Sequence, residues 1–282
     1  MLRLGDYNTL RIVKSVDFGL YLDGGEEGEI LLPQRYVTKN MHIGDDIEVF
    51  IYLDQEERPV ATTEHPYAKV GQFASLEVAW VNQFGAFLNW GLMKDLFCPF
   101  REQKKRMEQG NHYIVYIKVD EDSYRLMATA KIDKYLEIPT INDLPALTHG
   151  TEVDILIWQK TDLGFKVIVN NRFQGQIYEN QIFQPLHSGM RLKAYVDHVR
   201  EDGKIDLTLH QSGRQHTLDF AEVLLRYLYE NDGYCNLGDK SPAELIYDRF
   251  QVSKKAFKKA IGDLYKRRLI TIEEDGNGIR LA

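Results

Sequence analysis

Val81-Asn82-Gln83-Phe84-Gly85-Ala86-Phe87-Leu88 is an apolar strand that meets an aromatic-Gly-small-aromatic turn and leaves as a second apolar strand. Glycine admits a sharp bend or a bulge that a side chain resists. Phe84 and Phe87 flank the bend on either side of Gly85-Ala86. A bulge at the glycine would set both rings on one surface as a platform for stacked bases, whereas packed inward they fill a core. Two variants of the stretch occur, Val16-Asp17-Phe18-Gly19-Leu20-Tyr21-Leu22 upstream and Thr161-Asp162-Leu163-Gly164-Phe165-Lys166-Val167 downstream.

The three copies share one frame. A second glycine follows each turn glycine at one constant interval: Gly44 after Gly19, Gly110 after Gly85 and Gly189 after Gly164. An alternating strand follows each second glycine: residues 47–53, 113–119 and 192–199. Polar turns and a last short strand close each unit, and a short strand ending at Pro33, Pro99 or Tyr178 precedes the second glycine. Five short strands in about 60 residues, with the long connection between the third and fourth, predict a Greek-key barrel of the OB type. An SH3-like barrel is the alternative, less favoured because of where that connection falls.

After His210 the periodicity becomes helical. Phe220, Val223, Leu224, Tyr227 and Leu228 recur at three-four spacing up to Asn231-Asp232-Gly233. Ser241-Pro242, with Glu244 at capping-box spacing, opens a second helix ending near Phe250. Ser253 caps a third, running to about Arg268, and residues 270–281 read as a hairpin. Three helices and a hairpin predict a winged helix. The expected fold is thus multidomain and mainly β. Barrel 1 spans 1–64, barrel 2 spans 65–138, an ordered linker and barrel 3 span 139–213, and the α+β winged helix spans 214–282.

The chain of 282 residues carries 35 Lys+Arg and 42 Asp+Glu, a net of −7. Residues 214–282 hold 12 and 11 of these, which leaves 23 and 31 in residues 1–213. Any basic surface is therefore local. It is concentrated in the third tail helix, where Lys254/Lys258 and Lys255/Lys259 are i, i+4 pairs backed by Phe257, Ile261 and Leu264. Like charges at that spacing disfavour an isolated helix, which phosphate contact relieves. Arg280 adds a candidate backbone contact, and Arg101-Glu102-Gln103-Lys104-Lys105-Arg106 is a second basic cluster. Cys98 and Cys235 form no CxxC and read as packing groups, and no apolar run nears the roughly 20 residues of a membrane helix. The first residues lack a signal-peptide layout, so cytoplasmic residence is expected. No HExxH, P-loop or GxSxG motif occurs, so no enzyme, metal or cofactor is expected.

Phe84-Gly85-Ala86-Phe87, with the strand after Gly110, resembles the S1 RNA-binding domain, an OB barrel. In that family two aromatics of the turn and a following histidine form the RNA-stacking face. The resemblance puts Phe18, Tyr21, Phe84 and Phe87 in the aromatic places. The histidine place, at a fixed interval after the turn glycine, is held by Pro33, Pro99 and Tyr178. Repeat three carries Leu163 and Lys166 at the aromatic places, with Phe165 expected to point inward. Three S1-like repeats followed by a winged helix resemble the conserved virulence factor B family of bacteria. That resemblance implies a cytoplasmic, non-catalytic RNA-binding protein acting on gene expression after transcription. Single-stranded RNA is the expected partner, with Tyr178, Lys254, Lys255, Lys258, Lys259 and Arg280 joining the four aromatics as contacts. The alternatives are a winged-helix regulator on duplex DNA and a ribosome-associated adaptor.

Overall fold

In the three repeats, apolar residues recurring along the strands place one face of each strand inside a barrel. The computed structural model describes residues 2–182, 185–209, 214–250, 252–273 and 276–282, with the side chains of all but Asn180 and residues 214–219. The first repeat forms β1 (Tyr7–Val16), β2 (Gly19–Asp23), β3 (Glu29–Pro33), β4 (Asp46–Leu53) and β5 (Pro59–Thr62). The second forms β6 (Phe73–Val81), β7 (Gly85–Asn89), β8 (Leu96–Pro99), β9 (His112–Val119) and β10 (Leu126–Thr129). The third forms β11 (Glu152–Thr161), β12 (Gly164–Val169), β13 (Phe173–Tyr178), β14 (Arg191–Val199) and β15 (Ile205–Thr208). Each set closes on itself. In the first, β1 pairs antiparallel with β2 and β4, and β3 runs parallel to β5. This is the OB-like order that the spacing predicts.

The interval from each turn glycine to the histidine place is a strand register. Gly19 lies opposite Pro33, Gly85 opposite Pro99 and Gly164 opposite Tyr178. The glycine is required there for space. A Cβ on Gly85 would stand 2.4 Å from the carbonyl oxygen of Cys98, and one on Gly164 would stand 2.1 Å from that of Ile177. The bulge expected at the glycine lies elsewhere. Pairing skips one residue between Ile12 and Lys14, between Val78 and Trp80, and between Ile157 and Gln159. The kink therefore sits at Val13, Ala79 and Trp158, inside the first strand of each barrel, where it returns the following side chain to the outer face.

Two compact units divide the chain, Met1–Leu136 and Glu137–Ala282. Within the first, barrels 1 and 2 share a core. Phe50, Tyr52 and Val60 of barrel 1 are buried with Leu76, Leu88 and Trp90 of barrel 2. Phe50 meets Trp90 edge-on at 5.8 Å, and burying such a ring contributes about 1.5–3 kcal/mol. Lys69 Nζ bonds Asp6 at 2.7 Å, and Tyr7 Oη meets His65 Nδ1 at 3.1 Å across the same junction. The Cys98 thiol is fully buried, and that burial, aided by Glu102, pushes it up to about 12. It is a packing group, as is buried Cys235. A 3-10 turn at Ile132–Tyr135 closes this unit.

In the second unit, a further 3-10 turn at Leu144–Ala146 orders the linker. Arg172 clamps the linker through Glu137 at 2.6 Å and Asp143 at 3.0 Å. Barrel 3 buries Ile157, Val167 and Ile177, and Phe165 points inward as expected. The tail forms α1 (Arg214–Glu230), β16 (Tyr234–Cys235), α2 (Ala243–Phe250), α3 (Lys254–Lys266), β17 (Ile270–Ile272) and β18 (Ile279–Leu281). The short β16, unread in the sequence, joins the hairpin in a three-stranded sheet of order β16-β18-β17. His210, where the pattern changes, and Glu274-Asp275 of the hairpin turn lie outside the described residues. Ser253 caps α3 by accepting from the Ala256 N–H at 3.2 Å. Ser241 does not cap α2 as expected. Its hydroxyl accepts from the Gly238 N–H at 2.8 Å, and α2 starts at Ala243. The third helix stops at Lys266, short of Arg268, whose φ of 58° reverses the chain.

Gly262 sits inside α3 with open space where a Cβ would go and a right-handed φ. Gly262→Ala should stabilise the tail by about 1 kcal/mol, read as a rise in the denaturant midpoint.

Candidate nucleic-acid interface

Strand register brings three aromatic side chains into one row on the outer face of barrel 2. Trp80 on β6 lies opposite Phe87 on β7, and Phe87 lies opposite Phe97 on β8. The Trp80 and Phe87 rings stack at 3.7 Å with planes 3° apart, and Phe97 is tilted against Phe87 at 4.9 Å. Phe87 is thus covered by its neighbours, and Trp80, 42% exposed, is the outer member of a preformed stack. Its indole N–H donates to Asp95 Oδ2 at 2.9 Å, which fixes the ring's angle. Phe84 sits in the turn, 64% exposed. Asn82 holds that turn by accepting from the N–H groups of Phe84 at 2.8 Å and Gly85 at 3.1 Å.

A cleft of about 790 Å³ opens beside this row, with Trp80, Phe84, Phe87 and Phe97 on its barrel-2 side. The β4–β5 turn of barrel 1 forms another side through Gln55 and Glu57. The charges lining it are largely paired. Glu57 meets Lys94 at 3.2 Å and Arg125 at 3.6 Å, and Arg101 meets Asp120 at 3.4 Å. The Ser123 hydroxyl, donating to Asp120 at 2.7 Å, is the chief influence holding the Asp120 carboxyl below its usual range, with Arg101 assisting. Pro99, at the histidine place, also lines the cleft. Of the basic run 101–106, Arg101 reaches the cleft, Lys104 pairs with Asp133, and Arg106 covers the Phe100 ring at 3.3 Å.

The same row in the other barrels has different chemistry. In barrel 1 it is Lys14, Tyr21 and Leu31. Phe18 is exposed and meets Tyr21 edge-on at 6.2 Å, with the Lys14 ammonium 5.2 Å over the Tyr21 ring. In barrel 3 the row is Gln159, Lys166 and Gln176. Tyr178 there is half-buried, and its hydroxyl accepts from Arg200 at 2.6 Å.

On the tail, α3 packs Phe257, Ala260, Ile261 and Leu264 inward and turns its lysines outward unequally. Lys254 Nζ donates to the Lys240 carbonyl at 3.3 Å, and Lys258 lies 3.9 Å from Asp239. Lys255 and Lys259 are exposed and, among the described residues, have no hydrogen-bond or ion-pair partner. Arg280 on β18 covers the Tyr234 ring at 4.8 Å and pairs with Glu273 at 3.6 Å. Among the described residues, no three His, Cys, Asp or Glu side chains gather as a metal site needs, and no helix is long and apolar enough to cross a membrane.

Of the four aromatic side chains of the row and its turn, the sequence pointed to Phe84 and Phe87 and not to Trp80 or Phe97. Phe97 was recoverable from the register that sets Gly85 opposite Pro99, because the same register pairs it with Phe87. Trp80 was not, because the skipped residue in β6 has no mark in the sequence.

Comparison with known proteins finds matching domain types at the two ends of the chain. Residues 4–64 match the S1 domain family, and residues 222–281 match the CvfB-like winged helix domain. The chain is 29% identical over 272 residues to the uncharacterised protein YitL of Bacillus subtilis, covering 94% of this chain and 90% of that one. It is 22% identical over 278 residues to conserved virulence factor B of Staphylococcus saprophyticus, covering 96% and 92%. A solved multidomain protein with nucleic acid binding domains from Streptococcus pneumoniae is 22% identical, covers 99% of this chain and 98% of its own, and superposes with a TM-score of 0.45. The two domain matches and the near-full-length match to conserved virulence factor B bear out the resemblance to that family that the residues suggest, and the S1 and winged-helix domains support a nucleic-acid-binding role.

Proposed function

We propose that this chain, a relative of the conserved virulence factor B proteins over nearly its whole length, binds single-stranded RNA and acts on gene expression after transcription. It is a cytoplasmic, non-catalytic protein in this reading. The observation that carries it is the Trp80–Phe87–Phe97 row, a stack whose end member Trp80 is exposed in a cleft that Phe84 also lines. A base that continues the stack on Trp80 gains stacking without reorganising the protein, and every base has a face that fits. Phe18 and Tyr21 offer barrel 1 a weaker platform, and Tyr178 with Arg200 offers barrel 3 a polar one.

Phosphate contact falls to α3. Lys255 and Lys259 are the unengaged pair, while Lys254, Lys258 and Arg280 must first leave intramolecular partners. Weak contacts spread along one strand combine through effective concentration. Neutralising Lys255 and Lys259 to Gln should lower the log-log salt slope of RNA binding by about 1.4, two phosphates at about 0.7 each for a single strand. An unchanged slope removes the helix from the interface.

The second reading, a winged helix on duplex DNA, has one observation in its favour: α3 is the third helix of that fold and presents a basic face. Competition between single-stranded RNA and duplex DNA for the full chain separates the two. Preferential displacement by RNA supports the first reading, and preferential displacement by duplex DNA overturns it. Co-sedimentation with ribosomes alongside weak binding of free RNA would instead indicate an adaptor.

A further inference from the structure

Two features of α3 oppose the helix they belong to, and both fall on one spot. Glycine inside a helix is less stable than alanine, and lysines four residues apart repel. Gly262 lies inside α3 with a right-handed φ. No packing partner requires it, because a Cβ there would meet nothing within 4 Å. Its neighbours on the helix surface are the residues three and four positions away, Lys258, Lys259, Tyr265 and Lys266, and all four are exposed. At 3.6 residues per turn, Lys255, Lys259, Gly262 and Lys266 fall within an arc of about 60°. The buried residues of the helix, Phe257, Ala260, Ile261 and Leu264, occupy the other side.

Gly262 is therefore a gap in the side-chain layer, ringed by three ammonium groups and a phenol hydroxyl. Little opposing charge stands near the ring. Asp263, the one carboxylate of the helix, pairs with Arg267 at 3.1 Å, and Asp239 stands 3.9 Å from Lys258. Lys259, Lys266 and the Tyr265 hydroxyl have no hydrogen-bond or ion-pair partner among the described residues. A merely solvated face has no use for the glycine, since alanine fits the space and favours the helix. A local rule broken with no gain inside the fold marks a place where a ligand supplies the gain. The charges make that ligand an anion, and the gap brings it close to the helix backbone.

We propose that Gly262 is a notch that seats one phosphate of the bound RNA strand against α3, with Lys258, Lys259 and Lys266 as its cations and the Tyr265 hydroxyl as a donor. This inference rests on the single-stranded RNA reading and deepens it, from a basic face to a single seat with a defined centre.

The test uses the full chain with Gly262→Ala and Gly262→Leu. It reads the hydrogen-exchange protection of α3 amides and the affinity for a labelled oligouridylate of about 12 nucleotides across a salt series. Protection should rise in Gly262→Ala and not fall in Gly262→Leu, because both residues favour the helix and enter open space. RNA binding should move the other way. Gly262→Leu fills the notch without touching a charge. It should lower the log-log salt slope by about 0.7, one phosphate of a single strand, which is about fourfold in affinity near 0.15 M salt. Gly262→Ala should act in the same direction by less. A parent slope in Gly262→Leu, when neutralising Lys255 and Lys259 does lower it, overturns the notch and leaves the helix in the interface. Affinity lost equally at every salt concentration overturns the phosphate. A parent slope in both variants overturns the notch together with the phosphate role of α3.

Discussion

Trp80→Ala will weaken single-stranded RNA binding by about tenfold to a hundredfold while the protein stays folded. Removing a stacking partner costs about 1–3 kcal/mol per base, and 1.4 kcal/mol is a factor of ten. The residue has this weight because of its place in the row. Phe87 is sandwiched by Trp80 and Phe97, so the face that a base first meets is the outer face of the indole. Asp95 already holds that indole in orientation, so little entropy is lost on binding. With Trp80 gone, a base can settle on the bared Phe87 ring and recover part of the loss. Trp80→Ala with Phe87→Ala should therefore weaken binding further than Trp80→Ala alone. Trp80→Phe should restore most of the affinity. The cost to stability is small, about 0.5–1.5 kcal/mol for the aromatic pair, because the ring is on the surface. A fluorescence signal checks the contact directly. Trp90 and Trp158 are buried, so quenching on RNA addition reports chiefly on Trp80 and should vanish in Trp80→Phe although binding persists. Affinity of Trp80→Ala within about twofold of the parent would remove the stacking claim.

The architecture was legible in the residues because repetition supplied what a single barrel would have left ambiguous. Each turn glycine has a second glycine and a strand-closing position at constant intervals, and the set recurs three times. The interval to the strand-closing position is the β2–β3, β7–β8 or β12–β13 register. The candidate site was only half legible, for a local reason. Phe84 and Phe87 stand beside the glycine and announce themselves. Trp80 reaches the same face only because the pairing skips a residue between Val78 and Trp80, and a skipped residue leaves the hydrophobic pattern almost unchanged. The wall from barrel 1 was out of reach altogether. Glu57 and Gln55 read as a solvated turn, and nothing in their own neighbourhood says that Lys94 and Arg125 of the next barrel will close on Glu57. Lysines at i, i+4 spacing on α3 were visible as a basic face. Which pair is spoken for depends on Asp239 and the Lys240 carbonyl, which precede the helix and come beside it only in the folded tail.

Gly164→Ala should destabilise barrel 3 by about 2–6 kcal/mol, more than the same change at Gly110, because overpacking at about 1–3 kcal/mol and backbone strain at about 1–3 kcal/mol act together there. The two glycines look alike in sequence and are required for different reasons. Gly110 has a φ of +80° with open space around a Cβ, so alanine there incurs only the left-handed penalty of about 1–2 kcal/mol. Gly164 has a φ of +132°, a region that side chains rarely adopt, and its Cβ would stand 2.1 Å from the Ile177 carbonyl oxygen and 2.8 Å from the Glu179 nitrogen. Those are backbone atoms that no rotamer change moves aside. Strand β12 must then separate from β13 at the Gly164–Tyr178 pair, where Phe165 and Ile177 enter the core. The chain has several cores, so one global midpoint would blur the effect. Hydrogen exchange resolves it by region. Amides of β12 and β13 should exchange roughly two to three orders of magnitude faster in Gly164→Ala, while those of β7 and β8 keep their protection. Gly85→Ala should invert the pattern with a smaller amplitude, since its Cβ clashes at 2.4 Å with the Cys98 oxygen but its φ is ordinary. Because β7 carries Phe87, that loosening should also weaken RNA binding, whereas Gly164→Ala should leave the stacking contribution of barrel 2 intact. Equal protection loss in Gly164→Ala and Gly110→Ala would show that the strands yield at the glycine, and that close approach is not what fixes the repeat.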